Sequence, residues 1–186
     1  EGKKNFWFGD ITAGAGPDNR YLVHPKLFYY SPKKSINIIT DINNIGEIPF
    51  TRRDYFKFTG GFKNIGGTGT TLNLTSDNLG FSLLQNNMAN EIDTRFGAAN
   101  FSYSPSKTLD LSGFFIYSGT DTNIQELTTK DYVLDSLTEE INIASKQENN
   151  LGLGKLSASF NPNSNFQLDY DVFLKLSEQT ENSEIV

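Results

Sequence analysis

The chain has 186 residues, of which 37% are hydrophobic and 20% charged, with a formal net charge of -6, one histidine and no cysteine. Without cysteine there are no disulfides, thiolate metal sites or cysteine nucleophiles, one imidazole cannot build a His-based metal centre, and an acidic surface is a poor partner for nucleic acid. No stretch approaches the roughly 18 continuous apolar residues of a transmembrane helix, but a spanning β-strand alternates apolar and polar residues and escapes that test.

Along the chain, strands are expected near Asn5 to Ala13, Tyr21 to Tyr30, Ser35 to Asn43, Phe96 to Tyr103, Leu109 to Ser118, Leu151 to Phe160 and Phe166 to Ser177. Each shows apolar residues at every second position, which puts them on one side of a pleated ribbon. The fold class expected is all-β: an antiparallel up-and-down meander of about seven strands, forming an incomplete part of a transmembrane β-barrel. Glu1 opens the chain inside an apparent strand, and the 1–186 segment is expected to be one partial domain of something longer.

An ungapped internal repeat carries this expectation. "FYYSPKKSINI" (Phe28 to Ile38), "FSYSPSKTLDL" (Phe101 to Leu111) and "ASFNPNSNFQL" (Ala158 to Leu168) each join a strand end, a turn and a strand start. Pro32, Pro105 and Pro162 share one place, where a fixed φ suits a β-turn. In this alignment Phe28, Tyr30, Ile36 and Ile38 match Phe101, Tyr103, Leu109 and Leu111, then Ala158, Phe160, Phe166 and Leu168, so all are assigned to one apolar face. Asn37, Asp110 and Gln167 take the other.

The last strand, "NFQLDYDVFLKLS", gives the longest alternation. Phe166, Leu168, Tyr170, Val172 and Leu174 join Ile36, Ile38, Leu109 and Leu111 as the expected lipid-facing set. Asp169, Asp171 and Lys175 join Asn37, Asp110 and Gln167 as the expected lumen-facing set, and Phe173 breaks the rule. Tyr30, Tyr103 and Phe160, with Phe28, Phe101 and Phe166 close by, suit an aromatic girdle at a membrane boundary. A soluble β-sandwich that binds carbohydrate through loop aromatics is the competing architecture, since its strands also alternate.

Between the hairpins, residues 44–94 and 120–150 are expected to be long extracellular loops that capture ligand. "TLNLTSD" (Thr71 to Asp77) is a possible strand and "SLTEEINIASK" (Ser136 to Lys146) a possible capped helix. "TRRDYF" places Arg52, Arg53, Asp54 and Tyr55 together as a candidate anion clamp with an aromatic platform. "GFKNIGGT" (Gly61 to Thr68) lacks the lysine of a phosphate loop. "DINNIGEIPFTR" (Asp41 to Arg52) resembles a calcium loop but puts Ile45 and Arg52 where oxygens belong, so it is better taken as a turn. His24 beside Pro25 fits a strand position rather than a ligand, and the pair Asp169 and Asp171 fits a wetted lumen better than hydrolytic chemistry. No cofactor, metal or catalytic residue is assigned, and enzymatic activity is not expected.

"FWFGDITAGAG" (Phe6 to Gly16), "NIITDINNIGE" (Asn37 to Glu47), "FSYSPSKTLDLSGFFIYS" (Phe101 to Ser118) and "LGLGKLSASFNPNSNFQLDYDVFLKLS" (Leu151 to Ser177) resemble the barrel region of outer-membrane TonB-dependent receptors of Bacteroidota. The resemblance implies a location in the Gram-negative outer membrane and about a third of a barrel of roughly 22 strands that encloses a plug. It implies import of a scarce nutrient such as a siderophore or glycan. The partners implied are outer-membrane lipid, a small-molecule or glycan ligand, and the TonB energy-transducing complex acting through a plug that this segment lacks. The chain also lacks a TonB-contacting box, a regulatory domain and a terminal aromatic strand, so transport belongs to its parent.

Overall fold

The computed structural model describes residues 5–47, 89–132 and 137–185. They form seven strands: β1 (Phe6–Ala15), β2 (Tyr21–Tyr30), β3 (Lys34–Asn43), β4 (Ala89–Tyr103), β5 (Leu109–Tyr132), β6 (Leu137–Asn163) and β7 (Phe166–Ile185). All seven belong to one antiparallel sheet in the order β1-β2-β3-β4-β5-β6-β7. The meander expected from the repeats is present, and the sheet is not closed. A sandwich needs two sheets, and the described strands make one.

The three proline turns connect β2 to β3, β4 to β5 and β6 to β7, so an antiparallel meander gathers them at one end. They are stitched together there: Ser104 N donates to Lys33 O at 2.7 Å and Asn161 N to Thr108 O at 2.7 Å. Within the first turn, Ser31 N donates to Lys34 O at 2.8 Å.

Residues directly opposite in a ladder share a face, and the pairing fixes every face in the sheet. One row runs Leu27, Ile38, Ala99, Phe115, Gly154, Leu174. The next row runs Phe8, Phe28, Asn37, Asn100, Phe114, Lys155, Phe173 and lies on the other side. The second side is called the inner face because every buried side chain on a strand belongs to it. Phe96, Ala98, Ile116, Leu151 and Leu153 form its apolar centre, with Ile39, Phe114 and Phe173 packed against them. Ile116 and Leu153 are 0% exposed. Phe173, the residue that broke the alternation, is thus part of the inner centre.

Three expectations are corrected. Residues 120–132 and 137–150 are strand rather than loop: β5 runs to Tyr132 and β6 starts at Leu137, paired throughout from Tyr132↔Leu137 inward. The capped helix over Ser136 to Lys146 is likewise replaced by strand from Leu137. Cross-strand pairing wins because each residue here has a ladder partner, whereas one turn of isolated helix is costly to nucleate. Third, Phe28 and Tyr30 lie on the inner face, opposite Asn37 and Ser35. The first hairpin pairs Tyr30 with Ser35, an odd separation, while the others pair Tyr103 with Leu111 and Phe160 with Leu168, both even. One residue of difference in the turn exchanges the faces of one strand. The third hairpin takes up its extra residues in a register shift between Phe160 and Asn163.

On the outer face, Gly113 lies against the Phe101 ring and Gly154 near the Phe115 ring of neighbouring strands. A Cβ on Gly113 would meet Lys155 O at 2.7 Å, Leu156 Cδ2 at 2.8 Å and Phe101 Cε1 at 2.9 Å, so this position admits only glycine without moving backbone. Gly113→Val is expected to destabilise the sheet by about 1 to 3 kcal/mol. Gly14→Ala, where an added Cβ meets nothing within 4 Å, should stay within about 0.5 kcal/mol of the parent. Urea unfolding midpoints of the two variants check the contrast.

Candidate functional site

The outer face is an uncharged, almost entirely apolar surface. Its residues are Trp7 to Ala15 on β1, Tyr21 to Tyr29 on β2, Ile36 to Ile42 on β3, Gly97 to Tyr103 on β4, Leu109 to Gly119 on β5, Gly152 to Phe160 on β6 and Phe166 to Leu176 on β7, taken at every second position. None of these outward positions carries a charge. Every residue expected to face lipid lies here: Ile36, Ile38, Leu109, Leu111, Phe166, Leu168, Tyr170, Val172 and Leu174. On β7 they are open, with Leu168 55% and Tyr170 64% exposed.

Rings mark the proline-turn edge of this surface. Trp7 packs on Tyr29 with centroids 4.6 Å apart, and Phe160 meets Phe166 edge-on at 6.4 Å. The Lys34 ammonium lies 5.3 Å from the centroid of Tyr29. Tyr29 and Trp7 therefore stand where the repeat had suggested Tyr30 and Phe28. The odd-length turn that exchanged the faces left no trace in composition.

At the opposite edge the outer face becomes charged. Arg95 Nη2 lies 2.5 Å from Asp121 Oδ2, and Lys146 Nζ lies 2.7 Å from Glu148 Oε1. Asp121 and Glu148 oppose each other across β5 and β6. The Glu148 hydrogen bond and charge, with a smaller contribution from Asp121, hold the Lys146 ammonium above the usual lysine range. Lys146, then Arg95, holds Glu148 below the usual carboxylate range.

The inner face has a different character. Asn37, Asp110, Gln167, Asp169, Asp171 and Lys175, the expected lumen set, all lie on it. The acids are held by hydroxyls and amides. Ser104 Oγ donates to Asp110; Ser159 Oγ and Gln167 Nε2 donate to Asp169 at 2.6 and 2.7 Å; Ser157 Oγ donates to Asp171 at 2.5 Å. The nearly buried Lys155 places its Nζ 3.3 Å from Asp171 Oδ1. Asn37 Nδ2 donates to Asn100 Oδ1 at 2.6 Å.

This face is not polar throughout, as a simple lumen would be. Its centre is the apolar cluster on β4 to β6, and on β1 and β2 it carries stacked rings, Phe8 on Phe28 at 4.8 Å and Phe6 on Tyr30 at 5.8 Å. Their alternation on β1 is shared with the outward Trp7 and Ile11, so both sides of β1 read as apolar. That is why this set was missed.

His24, Asp41 and Asn43 form an enclosed polar cluster. His24 Nδ1 contacts Asp41 Oδ2, and Asn43 Nδ2 donates to Asp41 Oδ1 at 2.6 Å; Asp41 and Asn43 are both 0% exposed. Asn43 also builds the turn that follows β3. Its Oδ1 accepts from Ile45 N at 3.3 Å and Glu47 N at 3.2 Å, and its Nδ2 donates to Glu47 O at 3.1 Å, while Gly46 supplies a φ of 73°. This part of "DINNIGE" forms a turn, as expected, with Asn43 as its cap. Next to it, Asn44 binds the β1–β2 turn through Tyr21 N at 2.7 Å and Asn19 O at 3.0 Å.

Arg52, Arg53, Asp54 and Tyr55, together with "GFKNIGGT" and "TLNLTSD", lie outside the described residues. Among the described residues no group of three or more acidic or imidazole side chains is placed to hold a metal ion. Comparisons with protein-family models, curated proteins and solved structures find no match for this chain.

Asn43→Ala removes an amide that satisfies two backbone N–H groups and one buried carboxylate. A loss of about 1 to 3 kcal/mol is expected, with faster hydrogen exchange at the Ile45 and Glu47 amides than at the β5–β6 ladder. Unchanged exchange at those two amides would show that the turn stands without its cap.

Proposed function

We propose that this chain is a stretch of wall from an outer-membrane β-barrel receptor that imports a scarce nutrient with energy supplied through TonB. The observation that carries the proposal is the uncharged, uncovered outer face. From Phe166 to Leu176 it spans ten residue steps, about 34 Å along the strand. With a strand tilt near 40° this becomes a height of about 26 Å, close to the roughly 25 Å apolar band of outer-membrane barrels.

Leaving such a face in water is energetically untenable. Each large apolar side chain gains about 1.5 to 3 kcal/mol on leaving water, so even ten of them outweigh the roughly 5 to 15 kcal/mol that separates folded from unfolded domains. Covering it with a second sheet is the sandwich alternative, for which the described residues supply no such sheet. Lipid is the cover that suits a nearest-neighbour meander, because each strand then satisfies its backbone through its neighbours.

The inner face supports the same reading from the other side. Asp41, Lys155, Asp169 and Asp171 sit at the same levels as the uncharged outer rows. In this proposal nutrient capture falls to the parts beyond the apolar band, namely the β5–β6 extension and the segment that carries Arg52, Arg53, Asp54 and Tyr55. Coupling to TonB runs through a plug encoded elsewhere in the parent.

Leu168→Arg or Val172→Arg puts a charge against hydrocarbon, at a cost of about 2 to 4 kcal/mol near mid-membrane. In the protein expressed from its complete gene, either change should reduce the heat-modifiable folded form in outer-membrane fractions. Asp169→Asn, on the inner face, should leave it intact. Arg52→Ala with Arg53→Ala should also assemble, since surface substitutions stay within about 0.5 kcal/mol and this proposal takes the segment as a loop, but should lower uptake of an anionic nutrient. Wall variants that assemble as well as the parent would refute the lipid contact; loop variants with full uptake would remove only the clamp.

A further inference from the structure

We propose that Lys33, Lys34 and Lys107 seat the phosphate of an anionic glycerophospholipid, of the phosphatidylglycerol type, at the proline-turn edge of the sheet. This rests on the lipid-facing assignment above and adds a specific lipid site to it.

Ion pairing singles these lysines out. Lys26, Arg95, Lys130, Lys146 and Lys155 each have a carboxylate within 4.0 Å. Arg20 donates to Asn44 O, and Lys175 is engaged as well. Lys33, Lys34 and Lys107 are exposed and, among the described residues, make no ion pair. All three stand on two adjacent turns, β2–β3 and β4–β5, which are joined where Ser104 N donates to Lys33 O. β3 and β5 are two strand spacings apart, roughly 10 Å, so flexible lysine stems from the two turns can converge on one phosphate.

The charge around them is one-sided. The carboxylates nearest this edge, Asp110 and Asp169, lie on the inner face, where Ser104 Oγ donates to the first and Ser159 Oγ and Gln167 Nε2 donate to the second at 2.6 and 2.7 Å. Asp10 is on the inner face too, 4.0 Å from Lys26 Nζ. The β6–β7 turn, Asn161 to Asn165, carries no charge. Among the described residues, no carboxylate faces outward at this edge.

Outward, the same edge is apolar and aromatic. Lys34 stands opposite Tyr103 in the ladder and so continues an outward row; its ammonium lies 5.3 Å from the centroid of Tyr29, whose ring packs on Trp7. A lysine that lays its stem along an apolar face and holds its charge at the rim reaches for headgroups. Tyr103, Phe160 and Phe166 continue the outward rings, as side chains at a membrane boundary do. The acyl chains of the lipid follow the uncharged outer rows, and its phosphate meets the three ammoniums. With three unpaired cations and no outward carboxylate, the edge favours a headgroup of net negative charge. An ethanolamine or choline headgroup brings a cation of its own that finds no partner there.

The test uses the complete gene product, purified from membranes and exchanged in turn into micelles doped with dioleoyl phosphatidylglycerol, phosphatidylethanolamine or phosphatidylcholine. Lipid retained on the folded protein is counted by native mass spectrometry. Phosphatidylglycerol should be retained about tenfold better than either of the others, within the reach of three lysines that each contribute up to roughly fivefold at an anionic surface. Lys33→Gln, Lys34→Gln and Lys107→Gln together should abolish that preference, and Lys130→Gln, at the far end of the sheet, should leave it. Glycerophosphoglycerol, the same headgroup without acyl chains, should not displace the lipid at equal concentration. Equal retention of the three lipids by protein recovered from membranes, a preference kept by the triple variant, or one lost with Lys130→Gln, overturns the site. Displacement by the free headgroup would make it an anion site and overturn the lipid. A gene product absent from membranes would overturn the wall assignment and this site with it.

Discussion

Register between neighbouring strands is the constraint on which the rest of this molecule depends. Successive side chains on a strand point to opposite sides, so one hydrogen-bonded pairing decides the side of every residue in both strands. Here each pairing is passed to the next through the stitched proline turns, and one set of ladders separates an uncharged surface from a charged one. Both surfaces are made by the same strands at the same height. A slip of one residue between β6 and β7 would send Asp169, Asp171 and Lys175 outward and bring Leu168, Tyr170 and Leu174 inward.

The sequence revealed this separation wherever a strand is amphipathic along its whole length. β7 is legible because one side of it holds only apolar residues from Phe166 to Leu176 and the other holds Gln167, Asp169, Asp171 and Lys175. β1 and β2 are not, because rings occupy both of their sides, and only the ladder separates Trp7 and Tyr29 from Phe8 and Phe28. The three hairpins look interchangeable when aligned, but the first turn sets an odd separation and the other two an even one, and that parity is a property of the backbone rather than of composition. For the same reason the polar run from Thr120 to Asn150 read as loop. Polarity reports what surrounds a strand, and a ribbon standing in water on both sides keeps its ladder without an apolar side.

The inner surface joins three environments that a single label of lumen does not describe. Rings cluster on β1 and β2, a dry aliphatic centre covers β4 to β6, and hydroxyl-bound acids line the proline-turn end of β5 to β7. Lys155 connects the last two, since Phe114 and Phe173 flank it in the ladder while its ammonium reaches Asp171. His24 and Asp41 make a fourth, enclosed element that fixes the turn after β3. The acids among these groups are satisfied by their neighbours, while His24 Nε2, Asn37 Oδ1, Thr94 Oγ1 and Asn149 Oδ1 are buried without a hydrogen-bond partner.

The long connection between β3 and β4 has a consequence for how the sheet assembles. β1 to β3 and β4 to β7 are each joined by connections of a few residues and can zip from their own hairpins, but the β3–β4 ladder must close a segment on the order of fifty residues. Closing it costs about 2 kcal/mol more in chain entropy than closing a four-residue turn. Chain entropy therefore favours closing the seam between the two halves after their own hairpins; near its proline-turn end the seam carries hydrogen bonds between Asn37 and Asn100 and between Ser35 and Ser102. At that stage a half-sheet from one molecule presents the same edge as a half-sheet from another, so the seam is where exchange of strands between two chains would begin.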